Sequence, residues 1–203
     1  MGHNKSSFLK QPVEHIDITS FDARPIIDSM SKMSFVSRET ANASRIYNNM
    51  LKDKECTIFL TLAGSTSAAG CMKLYADLVK NNMVDAIVAT GASIIDMDFF
   101  EALGFKHYQG SQFQDDGVLR DNYIDRIYDT YIDEDELQNC DRIIGEIADT
   151  LEPRPYTSRE FIKKLGRYLK TNAKKKNSLI ELAYDHMYLF FAQHLLIVQQ
   201  VLV

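Results

Sequence analysis

The sequence predicts an α/β fold with a parallel sheet flanked by helices. Two apolar, strand-like runs, Thr57–Leu62 and Val84–Val88, each lead into a cluster of small residues, Ala63–Gly70 and Ala89–Ser93. A helix-like segment follows each cluster. Strand and helix patterns alternate through the middle of the chain, which is the pattern of a parallel sheet with crossover helices. The composition agrees. A chain of 203 residues at 45% hydrophobic and 25% charged can bury a sizeable core.

The elements follow in order. Met1–Pro12 is polar and reads as a loose arm. Pro25–Met33 and Glu39–Leu51 carry apolar residues at helical spacing. Thr57–Leu62 is the first strand. Cys71–Lys80 is a helix with Cys71, Leu74 and Leu78 on one side. Val84–Val88 is the second strand, and Met97–Leu103 a short helix stopped by Gly104. Lys106–Gln109 is a candidate third strand. Asp115–Asp129 is charged, with Leu119, Ile124 and Ile127 as apolar anchors. Asp133–Leu151 is an amphipathic helix with acids in its first turn, where the helix dipole favours them. Pro153 and Pro155 end it. Thr157-Ser158-Arg159-Glu160 has capping-box spacing and opens a helix to about Lys170. Asn177–His186 is one more helix. Met187–Val203 contains no Asp, Glu, Lys or Arg and reads as a buried terminal helix or strand rather than a membrane span.

Charge and cysteine usage exclude several classes. A net charge of −5 gives no electrostatic reason to expect nucleic acid. The basic run Lys174-Lys175-Lys176 reads as a solvated loop. Cys56, Cys71 and Cys140 are widely spaced and form no CxxC motif, which fits a reducing cytoplasm. The five histidines show no metal-ligand spacing, so no metal is expected, and His107 reads as structural. Tyr123, Tyr128 and Tyr131 read as packing residues.

The candidate site is a pair of loops. Gly64-Ser65-Thr66-Ser67-Ala68 and Thr90-Gly91-Ala92 lie at the carboxyl ends of the two strands, where open α/β sheets bind ligands. Small residues let the backbone approach a phosphate, and the N–H groups of the following helix point at it. Neither loop is a Walker or a GxGxxG motif, so each can equally be a small-residue turn packed on a neighbour. Asp96 can accept hydrogen bonds from a ribose or an amine, or serve as an acid at a helix start. Local chemistry thus offers a nucleotide pocket and no catalyst.

Several stretches together resemble deoxyhypusine synthase, in particular its bacterial-type branch. Phe35–Leu51 is similar to the family's helix before the first strand. IFLTLAGSTSAAG is similar to its first strand and first NAD loop, and NNMVDAIVATGASIIDMDF to its second. LRDNYIDRIYD and TSREFIKKLG resemble later segments. The resemblance covers nearly everything from Phe35 to His186. It implies a Rossmann-like fold and a cytoplasmic homotetramer with active sites between subunits. It also implies NAD-dependent oxidation of spermidine, with transfer of an aminobutyl group to an enzyme lysine. The group then passes to a protein lysine, or in relatives to the small amine putrescine, giving homospermidine. NAD contacts carry over to Gly64, Ser65, Thr66, Ser67, Ala68, Thr90, Gly91, Ala92 and Asp96, and a polyamine contact to Asp96. Two departures stand out. Ile95 precedes Asp96 where many members have adjacent acids, and Gly64 and Ala68 fall where others carry serines.

The resemblance divides the chain into an arm and short helix (1–34), the N-terminal part of an NAD-binding domain (35–186) and an aberrant tail (187–203). The family's catalytic lysine, a glycine-rich cofactor loop and most polyamine contacts have no counterpart here. Lys163, Lys164, Lys170 and Lys174–Lys176 are surface lysines and do not replace the nucleophile. The tail decodes into the family pattern when one A is restored after the His186 codon. The shifted frame admits Asn-Val-Pro-Ile-Phe-Cys-Pro-Ala, then Phe-Thr-Asp-Cys-Ser-Ala-Gly-Phe-Gly. Residues 187–203 are therefore expected to be the out-of-frame product of a one-base deletion. The chain is expected to be inactive by itself, with its C-terminal half missing and low solubility from exposed sheet edges. The rival expectation is a non-catalytic, NAD-binding pseudoenzyme.

Overall fold

A computed structural model describes residues 4–193. Helices α1 (Arg24–Met30) and α2 (Phe35–Lys52) precede strand β1 (Phe59–Leu62). A wide helical turn, Ser67–Cys71, leads into α3 (Met72–Lys80) and then β2 (Ala86–Thr90). A second wide turn, Ser93–Phe99, runs into α4 (Phe100–Ala102) and β3 (His107–Gln109). Next come α5 (Asp116–Asp121), β4 (Ile124–Ile127), β5 (Thr130–Asp133) and α6 (Glu134–Asp149). The described chain ends with α7 (Ser158–Asn172), α8 (Leu179–Asp185) and β6 (Leu189–Gln193).

The expected parallel sheet is present, in the order β1-β2-β6, with Leu62 opposite Ala89 and Ala89 opposite Ala192. Because side chains alternate along a strand, Leu60, Ile87 and Phe190 share one face with Leu62 and Ala89. That face enters the main core with Phe99, Phe100, Leu165, Leu169 and Ile180. Each such side chain contributes on the order of 1.5–3 kcal/mol by leaving water. Helices α7 and α8 approach so closely that a Cβ at Gly166 would lie 2.5 Å from Tyr184 Cβ.

Helix starts follow the local signals. The Asp133 carboxylate accepts from the Asp135 and Glu136 amides. Thr157 and Glu160 form the reciprocal box that their spacing suggests. Ser178 accepts from the Glu181 amide at 3.1 Å.

Four details differ from the sequence reading. Helix α3 buries Met72, Ala76 and Val79 rather than the Cys71–Leu74–Leu78 side. Both triplets have helical spacing and the helix is apolar around most of its girth, so periodicity left two faces open. The strand at His107–Gln109 joins a separate antiparallel sheet, in the order β3-β5-β4. The Lys174–Lys176 run is not merely solvated, since Lys175 reaches Glu101 at 2.5 Å and Lys176 lies 3.5 Å from Glu181. Of the three tyrosines, Tyr131 packs in the small second core, while Tyr123 and Tyr128 are exposed.

Leu189–Gln193 of the tail form β6, paired along β2, so one of the two expected forms is present there, but only Phe190 of this strand is fully buried while Leu189 and Phe191 are exposed. Residues 194–203 lie outside the described residues. Among the described residues no helix is long and apolar enough to cross a membrane. The other face of the parallel sheet is poorly covered: Phe59 is 58% exposed, Leu189 39% and Phe191 38%. Parallel sheets normally bury both faces, and an open apolar face promotes association. Phe59→Ser is accordingly expected to lower concentration-dependent light scattering while leaving the far-UV circular dichroism unchanged.

Candidate functional site

The two small-residue loops come together because their strands are neighbours. Strands β1 and β2 run parallel in register, so Ala63 and Gly91 leave the sheet at the same end. Ser93 ties the loops together. Its hydroxyl donates to the Gly64 carbonyl at 3.1 Å and lies 3.0 Å from the Thr90 hydroxyl, and its amide donates to Thr90 Oγ1 at 3.3 Å. Since Ser93 spends its only proton on Gly64, Thr90 donates to Ser93 Oγ. A second, weaker tie runs from the Ala68 amide to Met97 Sδ at 3.3 Å. The Tyr75 hydroxyl donates to Thr66 Oγ1 at 2.8 Å.

Gly64 has φ 70°, and a Cβ built there would meet no atom within 4 Å. The loop tip therefore has open space in front of it. Ser67 is buried, and its hydroxyl has no hydrogen-bond partner among the described residues. An orphaned buried hydroxyl in a small-residue loop is what a bound polar group would satisfy. Ala68 and Gly91 are buried beneath the loop surface, while Thr66 and Ala92 are exposed. Both following helices begin with wide π-type turns, a feature frequent at functional sites. These features fit one wall of a dinucleotide site.

Asp96 is half-buried on the second turn. Burial, followed by the nearby Asp141 carboxylate, pushes its carboxyl up to about 6. A group so placed is relieved by a cation brought close to it. Cys140 Sγ lies 3.9 Å from the Ile95 carbonyl. Burial pushes this thiol well up, so it packs as an inert side chain.

Three groups escaped the sequence reading. In the sequence Ser93 stands out only as the last residue of the second small-residue cluster. Asp98, 1% exposed, accepts from the Leu179 and Ile180 amides, both at 2.8 Å, and so caps α8 from 81 and 82 residues away. Glu101 is buried and accepts from His15 Nε2 at 2.5 Å, His107 Nδ1 at 3.0 Å and Lys175 Nζ at 2.5 Å. A cleft of about 370 Å³, lined in part by His15, Lys73, Glu101, Lys175 and Ser178, opens beside this cluster rather than at the loops. His107, expected to be structural, is buried and gives Nδ1–H to Glu101, which leaves its Nε2 without a partner among the described residues.

The family model for deoxyhypusine synthase matches residues 25–192, which takes in both loops and the Glu101 cluster's helix. The chain belongs to the deoxyhypusine synthase family. A deoxyhypusine synthase-like protein of Coxiella burnetii is 69% identical over 183 residues, covering 90% of this chain and 52% of its own length. One from Caulobacter vibrioides is 66% identical over 184 residues, covering 90% and 50%. The chain thus spans about half the length of the curated relatives it matches. A crystal structure of an Entamoeba histolytica protein assigned as a deoxyhypusine synthase superposes with a TM-score of 0.61 at 17% identity, covering 93% of this chain and 67% of that one. That likeness supports the mixed α/β architecture with its parallel sheet.

Proposed function

We propose that this chain carries the N-terminal half of an NAD pocket, in a protein type that transfers the aminobutyl group of spermidine to an amine acceptor. A protein lysine is the leading acceptor, and a small amine, as in homospermidine synthesis, would use the same half-site. The observation that carries the reading is the Ser93 bridge, which holds two small-residue loops together at the ends of adjacent parallel strands. A cytoplasmic homo-oligomer with sites between subunits goes with it.

When bound, NAD supplies the hydride acceptor for oxidation of an amine. The residues of this chain hold and orient. Gly64, at positive φ with open space before it, lets the backbone approach a phosphate, and Ser65–Ala68 wrap around it. The Ser67 hydroxyl donates to a polar group of the ligand. Thr90, Gly91 and Ala92 form the second lip. Asp96 pairs with a protonated amine, which offsets the burial and the Asp141 repulsion acting on it. Three of the lysines near α7 and α8 are engaged in ion pairs, Lys170 with Asp185, Lys175 with Glu101 and Lys176 with Glu181, while Lys163 and Lys164 lie exposed on the surface of α7. This supports the reading that the chain alone binds NAD without transferring the fragment, as a pseudoenzyme would.

Calorimetric NAD titration is expected to show saturable binding, weakened about fivefold by Ser93→Ala through loss of one bridging hydrogen bond worth roughly 1 kcal/mol. Incubation with NAD and spermidine is expected to release no 1,3-diaminopropane. A folded chain that fails to bind NAD sinks the cofactor reading, and release of the diamine sinks the inactivity. The out-of-frame origin of residues 187–203 belongs to the same proposal. It fails if restoring one base after the His186 codon opens no frame that continues the family pattern.

A further inference from the structure

The N-terminal arm is fastened to both halves of the candidate pocket through one side chain. His15 Nδ1 lies 3.3 Å from the Met72 amide, at the start of α3, immediately after the turn that completes the first loop. A ring nitrogen facing an N–H must be the bare acceptor, so the proton sits on Nε2. That nitrogen donates to Glu101 at 2.5 Å, at the end of the helical segment that begins with Ser93. The imidazole therefore spans the two segments that carry the loops, at the opposite end from the Ser93 bridge. The backbone around it is held as well: the Val13 amide donates to the His107 carbonyl at 2.8 Å and the Ile16 amide to the Gly70 carbonyl at 2.9 Å. Gly70 has φ 100°, and a Cβ there would lie 2.8 Å from the Glu14 carbonyl oxygen. The arm passes over the end of the first loop at a distance that only glycine allows.

We propose that His15, acting with Glu101, is a positioning residue for the cofactor pocket, setting the separation of the two loop segments and thereby the affinity for NAD. The proposal rests on the NAD reading above. Ser93 fixes the loops where they face the ligand, and His15 fixes the helices behind them. With one of the two ties gone, the pair of segments keeps a hinge and each loses its set position.

The test compares three variants by NAD titration and thermal melting. His15→Leu keeps volume and removes both hydrogen bonds. His15→Gln keeps an acceptor and a donor of similar reach. Ile144→Val trims the core away from the arm and controls for general loss of stability. His15→Leu is expected to weaken NAD binding five- to tenfold, and His15→Gln to stay within about twofold of wild type. Ile144→Val should lower the melting temperature and leave affinity unchanged. If His15→Leu does not fold, His15→Asn is used instead: it keeps an acceptor near Met72 and cannot reach Glu101, and it is expected to show the same weakening. Wild type that binds NAD together with a folded His15 variant that binds equally well overturns the positioning role and leaves the cofactor reading standing. Equal weakening by Ile144→Val also overturns it, because the effect would then track stability. Wild type that does not bind NAD removes the cofactor reading, and this proposal with it.

Discussion

Asp98→Ala is expected to destabilise the chain by about 2–4 kcal/mol in urea denaturation. Its carboxylate accepts from the first two amides of α8, Leu179 and Ile180, and all three residues are buried. Truncation leaves two buried N–H groups without their acceptor. Helix α8 packs on α7 and leads into β6, so the loss propagates to the edge of the parallel sheet. The same group makes a pH prediction. Burial pushes the Asp98 carboxyl up to about 6 from 3.8, against the two amide hydrogen bonds. A carboxyl whose folded value is raised holds its proton better in the folded state. Its contribution is therefore fully present below about pH 4 and is lost as pH rises through about 6. Two pH units correspond to about 3 kcal/mol as an order of magnitude. Asp98→Asn, which cannot titrate, is expected to flatten the decline between pH 4 and 6. A wild-type profile parallel to that of Asp98→Asn across this window would show that the carboxylate stays ionised in the fold.

The parallel sheet was legible because its signals are local. Apolar runs ending in small residues mark β1 and β2, and the Thr157–Glu160 box marks α7 within four residues. The antiparallel sheet was not. Strands β4 and β5 have four residues each and mix Ile with Asp, Arg and Thr, so no alternation stands out. Their turn runs through Tyr128 at φ 56°, a conformation that turn chemistry assigns to glycine or asparagine. No turn residue announces it. The two loops of the candidate site could be found from composition, because small residues after a strand carry a physical meaning. The ties that hold them could not. Ser93 reaches Gly64 across 29 positions, Asp98 reaches α8 across more than 80, and His15 reaches Glu101 across 86. Such pairings depend on tertiary register, which a single sequence does not encode at any one position. Lys175 shows the same limit: within a basic run it looks solvated, and only the fold brings it to a buried carboxylate.

Glu101 is the residue whose removal should cost most. Glu101→Ala is expected to destabilise the chain by about 3–5 kcal/mol, the range for breaking a buried ion pair by deleting one partner. Three donors converge on this carboxylate, from the arm (His15), from β3 (His107) and from the segment before α8 (Lys175). Without it, His15 Nε2 and His107 Nδ1 lose their shared acceptor, and Lys175 turns out to solvent. The arm then keeps only its backbone contacts, so limited proteolysis is expected to cut within residues 8–20 at an enzyme concentration that leaves wild type intact. Burial alone would raise the Glu101 carboxyl, but the hydrogen bonds from His107, His15 and Lys175 overcome it and hold the group well below the usual carboxylate range. The sign is therefore opposite to that of Asp98. A depressed carboxyl contributes stability that is present above its unfolded value of about 4.5 and is lost as pH falls below it. Glu101→Gln, which keeps the shape and cannot ionise, is expected to remove this acid-side loss while leaving the Asp98 decline between pH 4 and 6 in place. The two carboxyl groups lie three residues apart and pull stability in opposite directions as pH changes. Stability of Glu101→Gln that falls below pH 4.5 as steeply as in wild type would assign the acid sensitivity to other carboxylates.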